Sequence, residues 1–172
     1  MKWTIARALI VSAMFASIPS ALLAQTGSIT DRDALARELR NAWLPLESGL
    51  AVSESEGTLI SAKYEIDNGR FQLSVYTMNG NTFSEIIVDY SAGMITQVDV
   101  ITDRGDLAAA RGQKEAMTRA TRTLAAATAE AVRANPGYRA VRAMPGLKEG
   151  RPVVEIILVN GVSWRSVLGN LD

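Results

Sequence analysis

Gly69-Arg70-Phe71-Gln72-Leu73-Ser74-Val75-Tyr76-Thr77-Met78-Asn79-Gly80 is one of two stretches that decide the fold. The other is Gly150-Arg151-Pro152-Val153-Val154-Glu155-Ile156-Ile157-Leu158-Val159-Asn160-Gly161. They align without a gap. Gly-Arg opens each, Asn-Gly closes each, and an aromatic follows three residues later, Phe83 in one case and Trp164 in the other. An apolar-polar run closed by Asn-Gly predicts a hairpin, because a type I′ turn needs φ > 0 at both central positions and Asn and Gly tolerate that. Gly69 and Gly150 follow the polar residues Asn68 and Glu149, so each run also begins at a turn. Each reads as the middle strand of a three-stranded antiparallel meander, and the meander occurs twice.

The bulk properties bound the rest. The chain has 172 residues and no cysteine. Residues 1–24 have the composition of a secretory signal peptide. Lys2 and Arg7 supply positive charge, residues 8–23 are mostly apolar, and Ala24 offers a small residue for cleavage before Gln25. The alternative, an uncleaved anchor, is disfavoured because the apolar run is short and holds Ser12, Ser17, Pro19 and Ser20. No Cys follows, which excludes a lipid-modified N-terminal cysteine. Removing the signal takes two of the 18 basic residues and leaves 18 acidic ones. That slight acidic excess argues against nucleic acid or an anionic membrane surface as a partner. Export without disulfides places the burden of stability on a hydrophobic core.

Along the mature chain, residues 25–30 read as a mobile lead. A helix capped at Thr30 or Asp31 follows, with Leu35, Leu39, Trp43 and Leu46 on one stripe, ended by Pro45 and Ser48-Gly49. Residues 50–57, with Ser53-Glu54-Ser55-Glu56-Gly57, read as a polar loop. Residues 58–66 alternate as a half-buried strand, 83–90 form the third strand, and 94–101 a further short one. Residues 102–112 are a linker with Gly105 and Gly112 as breakers, whose middle, residues 107–110, could form the first turns of the next helix, and 113–134 a helix stopped by Asn135-Pro136-Gly137. Strands over 138–143, 153–159 and 163–171 complete the chain, with Pro145 and Gly146 in a turn. The predicted class is α+β: two α-β-β-β units, residues 31–101 and 113–172, each a helix packed on an antiparallel meander of three or four strands.

This organisation resembles a tandem of PepSY domains. The closing part of that pattern is carried by Ile86-Ile87-Val88-Asp89-Tyr90-Ser91-Ala92-Gly93-Met94-Ile95, and the opening part by Ala131-Val132-Arg133-Ala134-Asn135-Pro136-Gly137-Tyr138. The first unit has Glu47-Ser48-Gly49 in place of Asn-Pro-Gly, and the second ends at Leu171-Asp172 without the closing Gly. The resemblance implies a non-catalytic, extracytoplasmic module that restrains peptidases or modulates envelope proteins. It implies no catalytic residues and no cofactor.

The residues themselves point the same way. Without His or Cys, the common zinc, haem and copper ligand sets and His-activated nucleophiles are ruled out. Glu54 with Glu56, or Asp99 with Asp103, could hold Ca²⁺, but no EF-hand spacing occurs and solvated loop charge is the favoured reading. Glu65, Asp67 and Asp89 would act as acid and base only in a shared cleft, and turn capping is favoured, with Asp89 on the amides of the turn ending at Gly93. Gly69, Gly80, Gly150 and Gly161 are turn residues, not a phosphate cradle. Arg70 and Arg151 occupy equivalent positions where a pair could clamp a carboxylate, against plain strand-edge solvation. Trp43 and Trp164 sit at core-type positions. No catalytic, cofactor or metal residue is assigned. The expected function is an exported, periplasmic or secreted, binding module with a protein partner. The alternative is a small-ligand or metal binder using the groove between the two units.

Overall fold

The computed structural model describes residues 29–172, so the expected signal peptide lies outside the described residues. The order is α1 (Ile29–Glu38), α2 (Leu46–Ser53), β1 (Thr58–Asp67), β2 (Arg70–Asn79), β3 (Thr82–Val88), β4 (Ile95–Val100), α3 (Arg104–Arg119), α4 (Leu124–Arg133), β5 (Arg139–Lys148), β6 (Arg151–Asn160) and β7 (Ser163–Asn170). Single 3₁₀ turns, Leu39–Asn41 and Glu54–Glu56, extend α1 and α2. The fold is α+β, and all seven strands join one antiparallel sheet in the order β4-β3-β2-β1-β5-β6-β7.

Both long helices expected from the sequence are broken. The chain is extended at Ala42 and at Ala120, then re-enters a helix behind Pro45 and Thr123. Pro45 thus starts a helix that it was expected to end, which suits a residue with fixed φ and no N–H to donate. Thr123 accepts from Ala126 N–H and caps α4. The residues expected as a linker are mostly helix, since α3 begins behind Asp103, whose carboxylate accepts from the amides of Gly105 and Asp106. Residues 50–57, expected as a loop, carry the end of α2 and its 3₁₀ turn. Buried Ser53 donates to Gly49 O there. Strand β5 runs straight through Pro145 and Gly146, expected as a turn.

The sheet is built outward from the contact of β1 with β5. Its ladder holds two pairs, Ala62↔Ala143 and Lys63↔Arg142. The alignment that places Gly69 on Gly150 also places Ala62 on Ala143, so matching residues face each other. The β-bulges match as well, between Leu59 and Ser61 in β1 and between Ala140 and Arg142 in β5. So do the turns. Asn68-Gly69 and Glu149-Gly150 both have positive φ at both residues, as a type I′ turn requires. At the other end the expectation is corrected. Asn79 and Asn160 are paired strand residues, and the loops are Gly80-Asn81 and Gly161-Val162, with positive φ at the glycine only. Positive φ confined to the first loop residue is the demand of a type II′ turn, and glycine meets it.

One face of the sheet packs on α2 and α4. Leu46, Leu50, Leu124, Ala127 and Ala131 meet Ala62, Tyr64, Leu73, Val75, Ile86, Ala143, Val154, Ile156 and Leu158 in the main core. Close packing is enforced at Gly49, where a Cβ would stand 2.4 Å from Leu73 Cδ2. The reverse face carries α3, since side chains alternate along a strand. Ser61, the neighbour of inward Ala62, donates to Gln113, and Ile60 and Phe83 form a second buried cluster with Ala110.

Candidate functional site

The residues singled out from the sequence do not converge. Arg70 and Arg151 lie at the tips of the β1–β2 and β5–β6 hairpins, and antiparallel β1 and β5 send those tips to opposite ends of the sheet. No joint carboxylate clamp forms. Asp89 accepts from the amides of Ser91 and Ala92 at 2.7 and 2.8 Å, and those two bonds hold its carboxyl below the usual range. Asp103 is spent as a helix cap, and Asp99 accepts from Gln97. Among the described residues, no group of three or more His, Cys, Asp or Glu is placed to hold a metal. Trp164 is half-buried against the core, but Trp43 is 85% exposed, because the helix stops before it and the stripe that would have carried it inward ends.

Three surfaces come from tertiary placement. The first is a polar network on the reverse face. Lys63 pairs with Glu65 at 2.6 Å, Ser74 donates to Glu65 at 2.8 Å, and Tyr76 donates to Glu85 at 3.0 Å. Burial first, then Glu65 and Glu85, push the Tyr76 hydroxyl strongly upward, so it stays neutral and serves as a donor. Across the seam, burial lowers Arg142, with Glu155 opposing that shift.

The second is the edge of β4. Val98 pairs with Ile86 and Val100 with Ser84, so both valines lie on the face that carries α2 and α4, yet they remain 47% and 60% exposed. Met94, just before the strand, is exposed too.

The third is the region of the helix breaks. In the first break, Trp43 N–H and Leu44 N–H donate to Tyr90 O at 3.2 and 2.9 Å. The break turns its carbonyls onto Arg139. One guanidinium nitrogen donates to Leu39 O at 2.9 Å and Ala42 O at 2.7 Å, and the other to Leu44 O at 2.9 Å. The guanidinium stands 5.5 Å from the centre of the Tyr64 ring. Tyr64 donates to Leu44 O at 2.6 Å, and burial pushes its hydroxyl up to about 12 while Arg139 pulls the other way.

At the second break, Thr121 N–H and Arg122 N–H donate to Leu171 O at 2.8 and 3.1 Å. Leu171 matches Tyr90 in the alignment of the halves. Here Arg122 lies at the break, but its guanidinium donates to Asn170 O and to Glu130. A cleft of about 400 Å³ lies instead between Glu54, Gly57, Thr58 and Leu59 on one side and Met117 and residues 120–124 on the other. That volume is within the range of small-molecule sites. The cleft lies at the junction of the two halves. Its lining comes from two stretches far apart in sequence, residues 54–59 and 117–124, which is why no sequence motif marks it.

No protein-family model and no curated protein sequence matches the chain. Among solved structures, the chain is similar to the crystal structure of a “putative lipoprotein” from Clostridium difficile 630, with a TM-score of 0.43 and 13% identity, over 75% of this chain and 87% of that one. No function is carried over from it. No helix among the described residues is long and apolar enough to cross a membrane.

Proposed function

We propose that the protein is an exported, non-catalytic, PepSY-like module that binds an extended segment of an extracytoplasmic protein along β4. The observation that carries this reading is the β4 edge, which among the described residues has no strand on its outer side and leaves Val98 and Val100 exposed. An unpaired edge offers main-chain hydrogen bonds to an added strand, and alternate side chains give that strand its specificity. Charge defines the partner further. Strands β1–β4 hold four acidic and two basic side chains, so the fitting segment is apolar and basic. Restraint of a peptidase or modulation of an envelope protein is the role that such docking would serve.

The test is hydrogen exchange of the β4 amides during titration with a peptide alternating valine and lysine. Slowed exchange at Thr96, Val98 and Val100 is expected, and it is lost in V98K/V100K. Unchanged exchange throughout β4 would remove the reading. A second reading, a small-ligand binder, is favoured by the junction cleft and its volume.

A further inference from the structure

We infer that the junction cleft is a receptor for a guanidinium group. This rests on the second reading, that the cleft is a binding site, and it is independent of the β4 edge. The matching place in the first half already holds such a group, and the two places share a backbone. Ala42 N–H closes the first helix on Leu39 O at 3.2 Å, and Ala120 N–H closes the second on Met117 O at 3.3 Å. Both alanines are then extended, with φ, ψ of −85°, 113° and −70°, 141°. Each break is latched by two consecutive amides onto one carbonyl, Tyr90 O or Leu171 O. Each ends at an extended N-cap, Pro45 at −65°, 149° and Thr123 at −74°, 150°.

Leu39 O, Ala42 O and Leu44 O, which receive Arg139, therefore have counterparts in Met117 O, Ala120 O and Arg122 O. The position that matches Arg139 is Thr58, whose side chain ends two atoms past Cα. Thr58, Met117 and residues 120–124 line the cleft, as Arg139 meets the carbonyls of residues 39, 42 and 44 at the first break.

The rest of the cleft suits the same guest. Glu54 brings a carboxylate, and the C-terminal end of α3 brings the negative pole of a helix. Met117, Leu59 and Leu124 offer apolar wall for a methylene stem. The one resident cation, Arg122, is engaged elsewhere, donating to Asn170 O at 3.0 Å and to Glu130. A planar fork of donors matches several carbonyls at once, which a lysine ammonium does less well. The guanidinium comes either from an arginine side chain of a partner protein or from a free small molecule.

The experiment is an amide-shift NMR titration of the purified chain with N-acetyl-arginine amide, its citrulline analogue, its lysine analogue, methylguanidinium and a blocked Ala-Arg-Ala peptide. Saturable shifts are expected at Thr58, Thr121 and Leu124 with the arginine probe. The uncharged citrulline probe should bind about tenfold more weakly, the loss expected when charge-assisted hydrogen bonds become neutral ones. E54Q should weaken the arginine probe, and T58R should fill the cleft from within, abolish the shifts and raise Tm. If T58R does not fold, E54Q and the citrulline comparison still decide. Tighter binding of the tripeptide assigns the source to a partner's arginine, and equal binding of methylguanidinium assigns it to a small molecule. Equal affinity for arginine and citrulline would overturn the guanidinium assignment and leave a cleft that binds something else. No shift at these residues with any probe would overturn the binding site itself.

Discussion

Residues 39–46 and 117–124 follow the same backbone course through a helix break and end in opposite states. The first closes around Arg139, which bonds three of its carbonyls. The second walls an open cleft beside Thr58. A helix end leaves carbonyls without helical partners, and something must meet them. In one half the chain meets its own need with a side chain drawn from the other half. In the other half the position matching Arg139 is Thr58, and a cleft lies beside it. Arginine at one position and threonine at its match is the difference between the filled break and the open one.

The largest expected effect tests whether the halves share one stability. Val75 and Ile156 match in the alignment and are both fully buried. Ile156→Ala should cost about 2–5 kcal/mol, and Val75→Ala somewhat less, as buried methyl groups are deleted. Because the sheet and the main core run through both halves, urea unfolding should stay a single transition, with circular dichroism and Trp164 fluorescence moving together. Separate transitions would show the halves to be independent.

The next effect sharpens the contrast between the filled and open breaks. Arg139→Ala should cost about 1.5–3 kcal/mol, the range for hydrogen bonds to a charged group. Thr58→Ala at the matching position should stay within about 0.5 kcal/mol. Equal costs would mean that Arg139 does not hold the first break closed.

Tyr64→Phe is smaller still. It removes the bond to Leu44 O, worth about 1 kcal/mol. The matching residue, Pro145, has no hydroxyl to lose. Tyr64 also gives the fold an alkaline dependence. Its hydroxyl is raised in the folded protein, so above pH 10 the unfolded chain binds fewer protons than the native one. Stability therefore falls as pH rises from 10 towards 12. Tyr76 shifts in the same direction, so alkaline unfolding of Y64F should be shallower than that of the wild type but not flat.

The smallest effect lies at the turn after β3. Asp89 matches Asn170, an amide that does not titrate. The Asp89 carboxyl is lowered on folding, so its contribution is present above the unfolded value and fades as pH falls through the folded one. Asp89→Asn should remove that part of the acid limb in a Tm–pH series. An unchanged limb would show that the turn amides do not govern it.

The hairpins were legible because their chemistry is local. Positive φ at Gly69, Gly80, Gly150 and Gly161 is a demand on single residues, and glycine answers it. Even so, the loop frame at Asn79-Gly80 slipped by one residue, since Asn-Gly suits a type I′ loop and the following residue decides otherwise. The helix breaks were not legible. Alanine-rich helical periodicity continues across Ala120, and the break is imposed from Leu171, which is remote in sequence. Trp43 was misplaced for the same reason, its stripe being cut at Ala42. Arg139 carried no signal at all, because its partners are backbone carbonyls that any residue could have supplied. The junction cleft had no signal in the sequence, because its walls come from residues 54–59 and 117–124 and meet only in the fold.

The two residue pairs between β1 and β5 have a mechanical consequence. Every other neighbouring pair of strands is joined by a longer ladder. A force that draws the halves apart would meet few backbone bonds at this seam, and resistance would come from the contact of α2 with α4, from Arg139, and from α3, whose Gln113 meets Ser61 of β1 and Met144 of β5. The sheet is thus stitched thinly at its middle and clasped by helices on both faces, and tension across the seam would load those helices before it parted any longer ladder.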